Sequence, residues 1–131
     1  MVFLNTDGGS RGNPGKAACA FVVKNLKNEV IYSGGKYLGE TTNNVAEYSA
    51  LLLGLTTLLE KEEKSVTCRL DSELVVKQVN GQYKVKDANL KTFHTKVLDL
   101  KKQFSEIKFE YVPRAQNKEA DRIVNDVLDL N

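Results

Sequence analysis

Long apolar runs are missing from this chain. No stretch of its 131 residues approaches the roughly 20 consecutive apolar positions that a membrane helix requires, so no membrane partner is expected. The opening residues, MVFLNTDGG, carry neither a basic leader nor a cleavage-like site, and no secretory signal is expected. Cysteine is scarce. Cys19 and Cys68 lie far apart inside apolar, strand-like runs, which excludes a C-x-x-C metal pattern and a disulfide framework; buried thiols in a reducing cytoplasm are the expectation. Histidine occurs once, at His94, so no His/Cys set is available to select zinc. A dominant charge is lacking too: 19 Lys+Arg against 17 Asp+Glu leave a net +2, too mild to argue for nucleic-acid binding by itself. The distribution says more, because residues 84–102 hold six lysines and only two acids, Asp87 and Asp99. A solvated helix face explains that bias as well as a phosphate-facing patch does.

What is present is ordinary for one globular domain: 41% hydrophobic and 27% charged residues. There is no internal repeat, low-complexity tract or linker, and residues 1–131 read as a single domain. Residues 2–7 have the unalternating apolar character of a strand covered on both faces, followed by a glycine-rich loop at 8–12. Residues 16–25 and 29–38 are β-branched and aromatic, and they suggest an antiparallel meander with the first strand. A long helix over 43–64 begins at Asn43 or Asn44 as cap and carries leucines at 51, 52, 55, 58 and 59. Strands at 65–70 and 107–112, a short helix ended by Gly81, an amphipathic helix at 89–104 and a final helix at 117–130 complete the order. The two later strands follow helical crossovers and should run parallel to a neighbour. The fold class is therefore α/β: a mixed five-stranded sheet, three antiparallel meander strands plus two parallel ones, with helices on both faces.

Four acids sit where acids are expensive. Asp7 finishes the apolar first strand. Glu47 falls on the inward seam of the long helix, where a carboxylate costs several kcal/mol unless paired; reaching water from the first turn is the bland alternative. Asp71 ends the fourth strand, where capping the next helix is sufficient reason for it. Asp121 shares a helix side with Val124 and Leu128, and pairing with Lys118 or Arg122 would explain it alone. Taken together they change meaning. Ligand sites in such sheets form beyond the carboxyl ends of strands, and all four acids can face one such end. Close carboxylates with no arginine cluster repel one another. A hard divalent cation resolves that repulsion, and an all-oxygen set selects Mg²⁺ or Mn²⁺.

DGGSRGNPG, TTNNVAEYSAL, LDSELVVKQVNG and VPRAQNKEAD resemble, in order and over nearly the whole chain, the four signature segments of ribonuclease H type 1 (ribonuclease HI). The resemblance implies the ribonuclease H-like fold and hydrolysis of the RNA strand of RNA–DNA hybrids by two Mg²⁺ ions, with Mn²⁺ as substitute, roughly 4 Å apart. The products would carry 5′-phosphate and 3′-hydroxyl ends. By that resemblance Asp7 touches both ions, Asp121 helps hold the ion beside the attacking water, and Glu47 and Asp71 hold the ion at the leaving oxygen. The glycine-rich turn, Gly8 and Gly9 with Ser10, lets backbone approach the RNA strand. Asn13, Asn43, Asn44 and Gln78 match RNA-contacting positions. Thr42 matches a contact to a DNA phosphate, and Lys84, Lys86 and Lys91 are candidates for further phosphate contacts.

Two departures from the family pattern stand out. The loop YVPRAQN lacks the histidine that many members carry, and Arg114 is the candidate to replace part of its role; pairing with Glu110 or Glu119 is the bland alternative. Residues 82–92 are too few for the basic protrusion of some members. A catalytically weak module that binds hybrid or double-stranded RNA is the rival reading, against which four intact acids argue. A 3′–5′ exonuclease of the same fold is a second, but it would begin with an aspartate–glutamate pair that TDGGS lacks. A cytoplasmic monomer is expected, and cleavage of double-stranded RNA is left open.

Overall fold

The computed structural model describes all residues from Met1 to Asn131. Its five strands are β1 (Val2–Gly12), β2 (Gly15–Lys24), β3 (Val30–Thr41), β4 (Ser65–Leu70) and β5 (Glu106–Tyr111). They form one sheet in the order β3-β2-β1-β4-β5. β1 is antiparallel to β2 and β2 to β3, whereas β1 with β4 and β4 with β5 are parallel. The expected meander plus two parallel strands is thus the observed topology.

The helices are α1 (Asn43–Glu60), α2 (Glu73–Val79), α3 (Ala88–Lys101) and α4 (Lys118–Asp129). A three-residue 3₁₀ turn at Arg114–Gln116 precedes α4. Alternation along β1 and β2 sorts the two faces. Leu4, Phe21 and Val23 join Tyr48, Leu51, Leu55 and Leu58 of α1 and Val97 of α3 in the main core. Ala18 and Ala20 face the other way, against Val124 and Leu128 of α4. Each large side chain fully buried here contributes about 1.5–3 kcal/mol.

Several boundaries differ from the sequence reading, each for a local reason. The glycine-rich stretch is not a loop: β1 continues through Gly12, with Gly8 opposite Cys19 and Ser10 opposite Ala17. Gly8 is needed because a Cβ there would lie 2.2 Å from the Ala46 carbonyl carbon, so only glycine lets α1 cross this close. Thr42, rather than Asn43 or Asn44, caps α1, its hydroxyl accepting from the Val45 amide. That helix stops at Glu60, four residues early, where Glu62 turns to a φ of 60°. Ser72, not Asp71, caps α2, which leaves the Asp71 carboxylate uncommitted. Gly81, at φ +78°, ends the following turn as expected. α3 stops at Lys101, and the segment to Phe104 turns to deliver that ring to the core.

Candidate active site

The β1–β4 ladder ends at the Thr6–Leu70 pair, and one residue further on each strand carries an acid, Asp7 and Asp71. α1 crosses above Gly8 and lowers Glu47 beside them, while the first turn of α4 supplies Asp121. All four line one cavity of about 520 Å³, together with Gly8, Gly9, Ser10, Asn43, Asn44 and Arg114. The carboxylates of Asp7, Glu47 and Asp71 can bring oxygens within 4.8 Å of one another. Asp121 stands outside that tight set but close enough for its charge and a hydrogen bond to act on Asp7.

The electrostatics are those of a site short of positive charge. Asp7 is only 8% exposed; burial first, then the Asp71 charge and the Asp121 charge, push its carboxyl up to about 7. Glu47, equally buried, is raised well above the usual carboxylate range, mainly by burial and then by the Asp7 charge. The Gly8 amide donates to Glu47 Oε1 at 2.6 Å, the one backbone contact working in the opposite direction. No lysine or arginine pairs with Asp7, Glu47 or Asp71. Arg114 reaches Asp121 at 3.4 Å from a largely exposed position; neither Glu110 nor Glu119 is its partner, and Glu119 pairs with Lys24 instead. Lys118 and Arg122 leave Asp121 alone as well. Three buried or half-buried carboxylates with no counter-cation are a donor set that fits hard divalent ions.

The positions assigned to substrate fall into two groups. Asn43 Oδ1 accepts from both the amide (2.8 Å) and the hydroxyl (3.0 Å) of Ser10, and the Asn43 amide donates to Asn13 Oδ1 at 3.1 Å. Ser10, Asn13 and Asn43 therefore form one network at the cavity rim, with Asn44 beside it. The others lie elsewhere. Gln78 is buried, and its Oε1 accepts from the Tyr48 hydroxyl at 2.7 Å. It borders a second cleft, of about 520 Å³, that Lys84, Lys91 and His94 also line. Lys86 is exposed and borders neither cleft; Thr42 is occupied as a cap. His94 is half-buried at the second cleft: its ring stands edge-on to Tyr48 and its Nε2 lies 3.0 Å from the Gln78 carbonyl oxygen. Sequence reasoning missed Ser72 and Asn125, which line the acidic cavity, and Asn117, which is buried behind it. Serine before a helix and asparagine at a helix start are too common to have singled them out. Both cysteines are buried and free, as expected.

A family profile described as "Reverse transcriptase-like" matches residues 5–127. The solved structure of RNase H1 from Halobacterium salinarum superposes with a TM-score of 0.96 at 35% identity, covering 99% of this chain and 98% of that one. The chain belongs to the ribonuclease H type 1 family. LC11-RNase H1, solved in complex with an RNA/DNA hybrid, has a TM-score of 0.92 at 40% identity over 96% of this chain and 95% of that one. A bifunctional protein of Mycobacterium tuberculosis is 40% identical over 129 residues, 98% of this chain but 35% of its own length. The chain thus spans about a third of the length of that relative.

Proposed function

We propose that this chain is a metal-dependent endonuclease that hydrolyses the RNA strand of RNA–DNA hybrids. The observation that carries the reading is the set Asp7, Glu47 and Asp71, gathered at the ends of adjacent parallel strands without a basic partner. Its likeness to a relative solved on a hybrid supports the substrate class. Asp7, Glu47, Asp71 and Asp121 would hold two divalent ions, Mg²⁺ by the all-oxygen chemistry and Mn²⁺ as a substitute. When bound, the ions supply charge stabilisation for a phosphorane-like transition state and lower the pKa of water. The chain's own contribution is placement. Asp7 is fixed by β1, Asp71 by following directly on β4, Glu47 by the Gly8 amide, and Asp121 by the α4 turn, so the carboxylates would receive the ions without reorganisation. Water oxygen bonds to phosphorus as the bond to the 3′ oxygen breaks, leaving 5′-phosphate and 3′-hydroxyl ends.

Selection of RNA falls to the rim. With its Oδ1 occupied by Ser10, Asn43 presents its amide N–H₂ outward, a donor for a 2′-hydroxyl; Asn13, Asn44 and the backbone of Gly8 and Gly9 stand beside it. Arg114 would attract the departing phosphate near Asp121, and the cleft of Lys84 and Lys91 would meet the phosphates of the other strand. The test is a cleavage assay on hybrid, RNA duplex, DNA duplex and single-stranded RNA, with and without Mg²⁺. Cleavage confined to the RNA of the hybrid, abolished by EDTA and restored by Mg²⁺ or Mn²⁺ but not Ca²⁺, is expected. Full activity in chelator, or a preference for DNA duplex, refutes the reading.

A further inference from the structure

Asn117 occupies the N-cap position of α4 yet makes no side-chain cap bond to that helix. Asparagine is among the best caps, and a helix whose first amides lack one is less stable. The carboxamide is spent elsewhere. It is 1% exposed, and its Nδ2 donates to the Thr6 carbonyl at 2.7 Å. Its Oδ1 accepts from Asn5 Nδ2 at 3.2 Å. Thr6 is the last residue of β1 paired with β4 and directly precedes Asp7. The Asn117 backbone completes the bracket: its amide donates to Arg114 O at 2.9 Å, and its carbonyl accepts from the Asp121 amide at 3.1 Å.

Asn5 shows that this arrangement is held at a cost. Its Oδ1 is buried with no partner, a destabilising defect. An apolar residue in this strand interior would avoid that penalty but could not donate to Asn117. The penalty and the missing cap meet at one contact, the bridge from β1 to the start of α4.

Resting on the nuclease reading above, we infer that Asn117 is the positioning residue of the site: by bonding Thr6 and Asn5 it fixes the first turn of α4 so that Asp121 stands against Asp7. Apart from the Asp121–Asp7 contact that it positions and the weaker 3.5 Å contact of Asn5 with the Gln116 carbonyl, these are the hydrogen bonds that tie that turn to β1. A misplacement near 1 Å at such a site costs on the order of 100-fold in rate.

The decisive variant is Asn117→Ser, which can cap α4 but is too short to reach Thr6. The expected result is a Tm in EDTA close to that of the parent and a kcat at saturating hybrid lower by about 10- to 100-fold, with KM within about twofold. In the absence of substrate, the Mg²⁺ concentration giving half of the metal-induced rise in Tm should increase severalfold. Asn5→Ala provides a second measurement that does not depend on the first variant folding: it removes the donor and the orphaned acceptor together. Because Asn117 Oδ1 loses its donor as the Asn5 orphan disappears, Tm should stay near that of the parent while kcat falls severalfold, whereas a merely structural bridge would lower Tm and leave kcat in place. Unchanged kcat and an unchanged Mg²⁺ midpoint in either folded variant overturn the inference. Should the parent protein fail to cleave hybrid at all, the nuclease reading falls, and the Mg²⁺ midpoints alone then decide whether Asn117 sets the carboxylate geometry.

Discussion

Asp7→Asn should make the metal-free protein more stable while abolishing cleavage. Folding moves the Asp7 carboxyl from its ordinary value of 3.8 up to about 7, a shift of about 3 units, and each unit is worth about 1.4 kcal/mol. Because the folded state binds the proton more tightly, stability is lost as pH rises from about 4 to about 7 and stays low above that. At pH 8 the accumulated penalty is on the order of 4 kcal/mol; at pH 4 it is near zero. Asparagine carries no charge and keeps the shape. Recovering even half of the penalty would raise Tm by roughly 6–10 °C in a domain of this size. The assay is thermal unfolding in EDTA at pH 4 and pH 8, with circular dichroism as the probe. The variant should gain at pH 8 and match the parent at pH 4, and saturating Mg²⁺ should close the gap by stabilising only the parent. A lower Tm for the variant at pH 8, or a difference independent of pH, would show that Asp7 serves the fold and refute the reasoning.

Other outcomes follow from single contacts. Arg114→Ala should lower kcat by about 10- to 100-fold, the worth of one charge-assisted contact, with Tm hardly moved because the pair with Asp121 is exposed; a rise in KM alone would reduce Arg114 to phosphate binding. Gly8→Ala should cost ~3 kcal/mol or more, since the new Cβ meets the Ala46 backbone at 2.2 Å, and denaturant unfolding reads it directly. Tyr48→Phe should cost about 1–3 kcal/mol by leaving the buried Gln78 Oε1 without its donor, with kcat unchanged at a temperature where the variant is folded.

The sheet and its order were legible because β1, β2 and β4 obey the simplest rule, apolar runs where both faces are covered and alternation where one is. The acids were legible for the opposite reason: Glu47 breaks an apolar seam that Leu51, Leu55 and Leu58 otherwise keep. What escaped was settled by tertiary contact. Residues 8–12 look like a loop because glycine is poor in strands, yet the crossing of α1 demands a missing Cβ at Gly8. Gln78 matched an RNA-contacting position, but α2 turns it inward to Tyr48. Asn117 looked like a helix start, and no local pattern tells a cap from a side chain diverted toward a strand 111 residues away.

The positions that break local rules are not scattered. Asp7 and Glu47 are buried acids, Asn5 keeps an orphaned oxygen, Asn117 forgoes its cap, and Gly8 weakens a strand. All belong to, or hydrogen-bond with, residues 5–8 of β1, where β1 and β4 part. Elsewhere the chain is consistent from pattern to packing: leucines fill the α1 seam, Thr42, Ser72 and Asp87 cap their helices, and exposed charges pair along α2. Stability accumulated in that consistent part offsets several kcal/mol of strain and desolvation concentrated in one place. A chain that needed only to fold would place apolar residues at positions 5, 7 and 47; the proposed task of holding divalent cations against a polyanion requires the polar ones.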